Sequence, residues 1–216
     1  MHLTSIQIGL PQGAPSTAIL KQSVTGPLLL DTLGFIGDRS ANGRIHGGPS
    51  RAVCVFPLSH YEGFATLLGL ESLPPGAFGE NLTVKGLDES SVCLGDIWGV
   101  GGARLQITSP RAPCARLDKR WGGAPLRETI VRTGQCGFMM RVVSPGFVQA
   151  DTAIELLERP TSEVTVRDAH HQFYDAKGGP AFDRALEALD FVAPDWLVDL
   201  RKRRVGARVG DLPRPV

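Results

Sequence analysis

Short runs of β-forming residues, each closed by glycine or proline, fill the first three quarters of this chain and leave few folds open to it. Ala52-Val53-Cys54-Val55-Phe56 is stopped by Pro57, while Asn81-Leu82-Thr83-Val84 and Ala103-Arg104-Leu105-Gln106-Ile107-Thr108 alternate at period two. Leu3, Ile6 and Ile8 mark a first strand. Phe138 to Val143 and Ile154 to Leu157 read as two more, with Ser144-Pro145-Gly146 as a turn between them. One helix interrupts the series, because Tyr61, Phe64, Leu67 and Leu68 share a face and Gly69 ends the run. A second short helix is expected from Pro125, since proline suits a first helical turn. So many short strands joined by tight turns predict a barrel or sandwich, a mainly β (α+β) fold.

Around Glu158-Arg159-Pro160 the period changes. Val164 to Tyr174 has helical character, Pro180 opens a helix with Phe182, Ala185, Leu186 and Leu189 as its stripe, and Pro194 opens a third with Trp196, Leu197 and Leu200 inward. The expected organisation is a β-rich domain over 1–160, a small three-helix domain over 161–205, and a flexible tail over 206–216. The basic run Arg201-Lys202-Arg203-Arg204 reads as the start of that solvated tail.

Composition narrows the function classes. With 23 Lys+Arg against 22 Asp+Glu the net charge is +1, so nothing suggests the concentrated basic surface that nucleic-acid binding requires. No apolar stretch is long enough to span a bilayer, and the first residues lack the basic start and apolar run of a signal peptide. Cys54, Cys93, Cys114 and Cys136 are scattered, with no C-x-x-C pair. That spacing argues for reduced thiols in a cytoplasmic protein rather than disulfides or structural zinc.

Three segments carry chemistry. In Ser109-Pro110-Arg111-Ala112-Pro113-Cys114-Ala115-Arg116, a cysteine follows a strand in a proline-stiffened loop beside several cations, which stabilise a thiolate as nucleophile or metal ligand. Cys54 and Cys93 lie within apolar runs and read as inert, as does Cys136. In His46-Gly47-Gly48-Pro49-Ser50-Arg51, paired glycines leave backbone N–H groups open to an anion and Arg51 can fork onto phosphate; a plain turn is the alternative. Glu80 and Asn81, after Gly76-Ala77-Phe78-Gly79, offer a carboxylate and an amide to a ring with polar edges, or serve only the turn. His170 and His171 point to different faces of a helix, a poor metal pair, and read as surface or partner-contact residues. His60 falls at the start of the first helix, and no Walker loop, G-x-G-x-x-G, H-E-x-x-H or G-x-S-x-G occurs.

In order and spacing, these segments resemble the MOSC family, named for the C-terminal domain of molybdenum-cofactor sulfurase, and within it the YiiM-like branch. The matching residues are Gly37-Asp38, His46-Gly47-Gly48-Pro49 with Arg51-Ala52-Val53, Gly76 to Leu82, Val92-Cys93-Leu94-Gly95-Asp96, Leu105-Gln106 and Pro110 to Cys114. The resemblance covers nearly the whole chain, helical tail included. It implies a β-rich pseudo-barrel followed by three helices, with the molybdenum cofactor (molybdopterin) held in a pocket. Cys114 is implied as metal ligand and catalytic residue, and His46, Gly47, Gly48, Arg51, Asn81 and Arg111 as cofactor-binding positions. It further implies reduction of small N-hydroxylated substrates, purine bases among them, to amines. No flavin, haem or iron–sulfur motif is visible, so electrons are expected from a separate reductase. A carrier that passes on sulfur or the cofactor through Cys114, without turnover, fits the same residues. Gly137-Phe138-Met139-Met140 departs from a more aromatic family segment, and Gln149-Ala150-Asp151 lacks the usual glycine.

Overall fold

The computed structural model describes residues 1–11, 13, 17–39, 47–160 and 163–205. Its strands in chain order are β1 (His2–Ile8), β2 (Gln22–Ser23), β3 (Leu28–Asp31), β4 (Gly34–Phe35), β5 (Val53–Pro57), β6 (Leu82–Lys85), β7 (Ile97–Val100), β8 (Ala103–Pro110), β9 (Phe138–Ser144), β10 (Gly146–Val148) and β11 (Thr152–Glu158). The order β11-β7-β8-β9-β5-β6-β1 closes on itself through β1–β11, which makes a seven-stranded barrel with β2 as an extension beside β1. Closure pairs the strand edges that an open sheet would expose. Val55, Leu82, Val84, Trp98, Val100, Phe138, Met140 and Ile154 fill the interior, so the period-two residues read from sequence do face one core.

Only β5 and β6 pair in parallel within the barrel. Such a pair cannot be joined by a hairpin. The required crossover is α1 (Tyr61–Leu68), which Gly69 ends at φ 66° as expected. The Ser144–Gly146 stretch is more than a turn: β10 follows at once and leaves the barrel to pair with β3, Phe147 opposite Leu29, in a small sheet β10-β3-β4. Strands of two to four residues such as β2, β3, β4, β7 and β10 carry too few side chains to show a period.

After β8 come α2 (Ala115–Arg120) and α3 (Leu126–Thr133); after β11 come α4 (Val166–Asp175), α5 (Gly179–Glu187) and α6 (Pro194–Arg204). The last three bind the barrel through backbone: Val166 N–H donates to Val92 O (3.0 Å), Arg167 N–H to Glu89 O (2.8 Å) and Ala193 N–H to Thr108 O (3.0 Å). Trp196, Leu197 and Leu200 are buried as expected, but on α5 only Leu186 is, and Ala185 faces out. The basic run is not a solvated tail. It is the last turn of α6, where Arg201 pairs with Glu187, Arg204 with Asp183, and Arg203 lies 4.9 Å from Phe173 and 4.7 Å from Tyr174 ring centroids. Residues 206–216 lie outside the described residues.

His170 also differs from expectation, being 1% exposed rather than on the surface. It sits 3.0 Å from Val131 O, joining α4 to α3. Burial pulls its pKa below 6.5, opposed by the Val131 carbonyl and by Glu89 and Asp175, and assisted by His171. A folded pKa below the unfolded one means the unfolded chain binds the proton more readily. The stability carried by neutral His170 is therefore complete above the ordinary imidazole value and is lost as pH falls toward the lowered one. Urea midpoints between pH 7.5 and 5 should fall more steeply for wild type than for His170→Gln; parallel curves would contradict this.

Candidate functional site

The floor of the site is the outer face of three adjacent barrel strands. Cys54 on β5 is opposite Met139 on β9, and Met139 is opposite Ser109 on β8. Their neighbours Val55, Phe138 and Met140 line the barrel interior, so alternation turns Cys54, Met139 and Ser109 outward in one row. Arg111 extends the ladder by donating its N–H to Gly137 O (3.1 Å). Its Nη2 donates to Phe78 O at 2.6 Å, while Nη1 is buried without a partner. Gly137 stands at φ 74°, and a Cβ there would run into Val55 O, so the close approach of β9 to β5 requires glycine.

One wall is the 76–80 loop, knotted by Glu80. This fully buried carboxylate accepts from Gly76 N–H (2.8 Å), Phe78 N–H (3.0 Å), Thr83 Oγ1 (3.1 Å) and the Tyr61 hydroxyl. Burial and the adjacent Glu80 both push the Tyr61 phenol up, keeping it a donor. Phe78 stacks on Phe56 with centroids 3.9 Å apart. From α2, Arg120 Nη1 donates to Gly76 O (2.6 Å) and Ile19 O (2.8 Å), and Trp121 Nε1 follows with Ala77 O (3.0 Å). Burial lowers the Arg120 pKa, with Glu80 opposing.

A second wall is a polar clamp around Asp38, which accepts from Lys21 Nζ (2.6 and 2.8 Å), Gly9 N–H (2.7 Å) and Asn81 Nδ2 (2.8 Å). Asn81 also donates to Gln7 O (3.2 Å) and accepts from Cys54 N–H (3.1 Å), so in this structure it acts as a strut. Beside the clamp lies a cleft of about 290 Å³ lined by Ile8, Gly9, Leu10, Leu20, Gln22 and Gly37. On the other side, Gly47 (φ 90°) and Gly48 (φ 84°) lead into a 3-10 turn, Pro49–Arg51, and no atom lies within 4 Å of where a Gly48 Cβ would stand. Thr108 Oγ1 ties this turn to β8 through Ser50 O (2.7 Å), and Arg51 pairs with Asp195 of α6. His46 lies outside the described residues.

Cys114 is not in a loop alone; it is the residue that opens α2, with β-type backbone (φ −107°, ψ 158°). It is half-buried, whereas Cys54, Cys93 and Cys136 are buried and burial pushes each of their thiols up. Cys54 is nevertheless not among apolar groups only, since Arg111, Glu80, Lys21 and Asp38 all act on it. No set of three or more His, Cys, Asp or Glu able to hold a metal occurs among the described residues. The structure places Arg111 at the end of this floor, Asn81 in the Asp38 clamp and the Pro49–Arg51 turn against β8, with Cys114 three residues beyond Arg111 in the chain. Lys21 was not singled out from sequence; Arg120 was read only as one of the cations near Cys114, and Ser109 and Met139 only as members of their segments.

A family model described as MOSC domain matches residues 42–155. Protein YiiM of Escherichia coli (strain K12) is 37% identical over 211 residues, covering 94% of this chain and 91% of that protein. A protein of Gibberella moniliformis (strain M3125 / FGSC 7600) named Reductase is 35% identical over 93% of this chain but only 36% of its own length. The crystal structure of YiiM from Geobacillus stearothermophilus superposes with a TM-score of 0.81 at 28% identity, covering 94% of this chain and 98% of that one. No helix among the described residues is long and apolar enough to cross a membrane.

Proposed function

This chain belongs to the MOSC domain family, and from that membership we propose that it binds the molybdenum cofactor through Cys114 and reduces N-hydroxylated compounds to amines. The observation that carries the reading is that Cys114, alone of the four cysteines, is not buried, and that it opens α2 three residues after Arg111. The residues fit such a group. Among the described residues Arg111 has a buried Nη1 with no partner, and nothing stands within 4 Å of a Cβ built on Gly48, which suits a phosphate and a close-lying ring. A soft thiolate suits molybdenum already ligated by sulfur.

When bound, the cofactor supplies a metal centre able to exchange two electrons. The chain's own residues do the rest. Cys114 would hold the metal, Arg111 and Arg51 would hold the phosphate, and the Asp38 clamp with Asn81 fixes the loops around them. His46, in the same segment as Gly47, is assigned to this cofactor set. The cleft beside the clamp, lined by Ile8, Leu10 and Leu20 together with Gln22 and glycine backbone, offers both apolar and polar contacts to a small substrate. In the net reaction the N–O bond breaks, two electrons and two protons enter, and amine and water leave. A separate reductase supplies the electrons. The relative named Reductase supports the activity class.

The test is chain purified from a cofactor-producing host, given an N-hydroxylated purine and reduced methyl viologen. Amine should form with the artificial donor and not with NAD(P)H and the chain alone. Metal-loaded chain that turns over nothing with the artificial donor would overturn the reductase and favour a carrier.

A further inference from the structure

Ser109 is 1% exposed, and its Oγ has no hydrogen-bond partner among the described residues. A buried hydroxyl in that state is a standing loss of stability, which folded proteins seldom tolerate without a use for it. Two residues along, Arg111 Nη1 is in the same state. The ladder puts the two on one side: Pro110 is opposite Phe138, which lines the interior, whereas Ser109 is opposite Met139 on the outer row, and Arg111 continues the pairing to Gly137.

The acceptors that act on Cys54 and Arg111 are already engaged. Glu80 takes four donors, Asp38 is held by Lys21, Gly9 and Asn81, and Phe78 O is taken by Arg111 Nη2. A guanidinium can only donate, and a serine hydroxyl can turn to donate alongside it. Neither group has an acceptor among the described residues, and beside an arginine the favoured acceptor is anionic. We propose that Ser109 Oγ and Arg111 Nη1 together take one oxygen of a phosphate group on the ligand, with Cys54 and Met139 as the soft apolar floor beside it. Ser109 is then a ligand-contacting residue. This rests on the reading above that the site receives a phosphorylated cofactor.

Inorganic phosphate is the probe, titrated calorimetrically into the full chain purified without cofactor. Ser109→Ala should bind it about tenfold more weakly, while Ser109→Thr, which keeps the hydroxyl, stays within about threefold of wild type. Without phosphate, Ser109→Ala should melt about 2–4 °C higher, because an unpaired buried hydroxyl has gone. A merely structural serine predicts the opposite shift. Unchanged phosphate affinity in Ser109→Ala, a fall in its melting point with no change in affinity, or no phosphate binding by wild type would each overturn the proposal. The two readings fail separately: phosphate binding blind to Ser109 sinks this one whatever the molybdenum content, and wild-type chain without molybdenum sinks the other whatever phosphate does.

Discussion

Cys114→Ala, purified from a host that makes the cofactor, is expected to carry less than about a tenth of the molybdenum of wild type, by elemental mass spectrometry. Loss of a supporting residue around a bound metal already costs about 10–100-fold in affinity, and loss of the protein's own ligand should cost no less. The other three cysteines supply the controls. Cys93 and Cys136 are 3% and 0% exposed, with thiols raised by burial, so their alanine variants should keep their metal if they fold. Cys54 is the informative one, because it lies on the floor itself opposite Met139. Its thiol is held protonated by burial more than it is favoured by Arg111, so it should be a poor ligand. Metal retained in Cys114→Ala but lost in Cys54→Ala would move the ligand from the mouth of the site to its floor.

The long strands β8 and β9 were legible because each presents enough alternating residues to show which side meets the core, and β5 because a run of β-formers stops at Pro57. The parallel β5–β6 pair was not, since nothing in a four-residue run reveals its neighbour's direction. The same limit explains the site. Arg111 and Cys114 stand out from sequence because cations and a cysteine share one loop. Ser109 does not, because its interest depends on Met139 and Cys54 being opposite it in strands far apart in the chain. Asp38 and Lys21 pair across 17 residues, with Asn81 a further 43 beyond Asp38. The basic run of α6 reads as a tail only until Glu187 and Asp183 are seen beside it. His170 misleads for the converse reason: a polar residue on a short helix looks exposed until the barrel side of that helix is known.

Glu80→Ala should be the most destabilising change around the site, by about 4 kcal/mol. The carboxylate is fully buried and four donors converge on it. Each donor left without an acceptor costs about 1–3 kcal/mol, and relaxation of the loop recovers part of the sum. For a chain of this size the melting point should fall by about 8–16 °C. Glu80→Gln keeps one acceptor oxygen but turns an amide toward donors, so about half that loss is expected. The effect reaches the floor through the loop's own carbonyls: Phe78 O holds Arg111, Gly76 O holds Arg120 and Ala77 O holds Trp121. Molybdenum content should therefore fall along with stability in both variants, and in the same order. Metal lost at an unchanged melting point would mean that Glu80 meets the ligand directly, as its place at the mouth of β6 first suggested. A lower melting point with metal retained would mean that Arg111 holds its position without the loop. The carboxylate's four protein partners argue against the first of these, because its acceptor capacity is already largely spent within the fold.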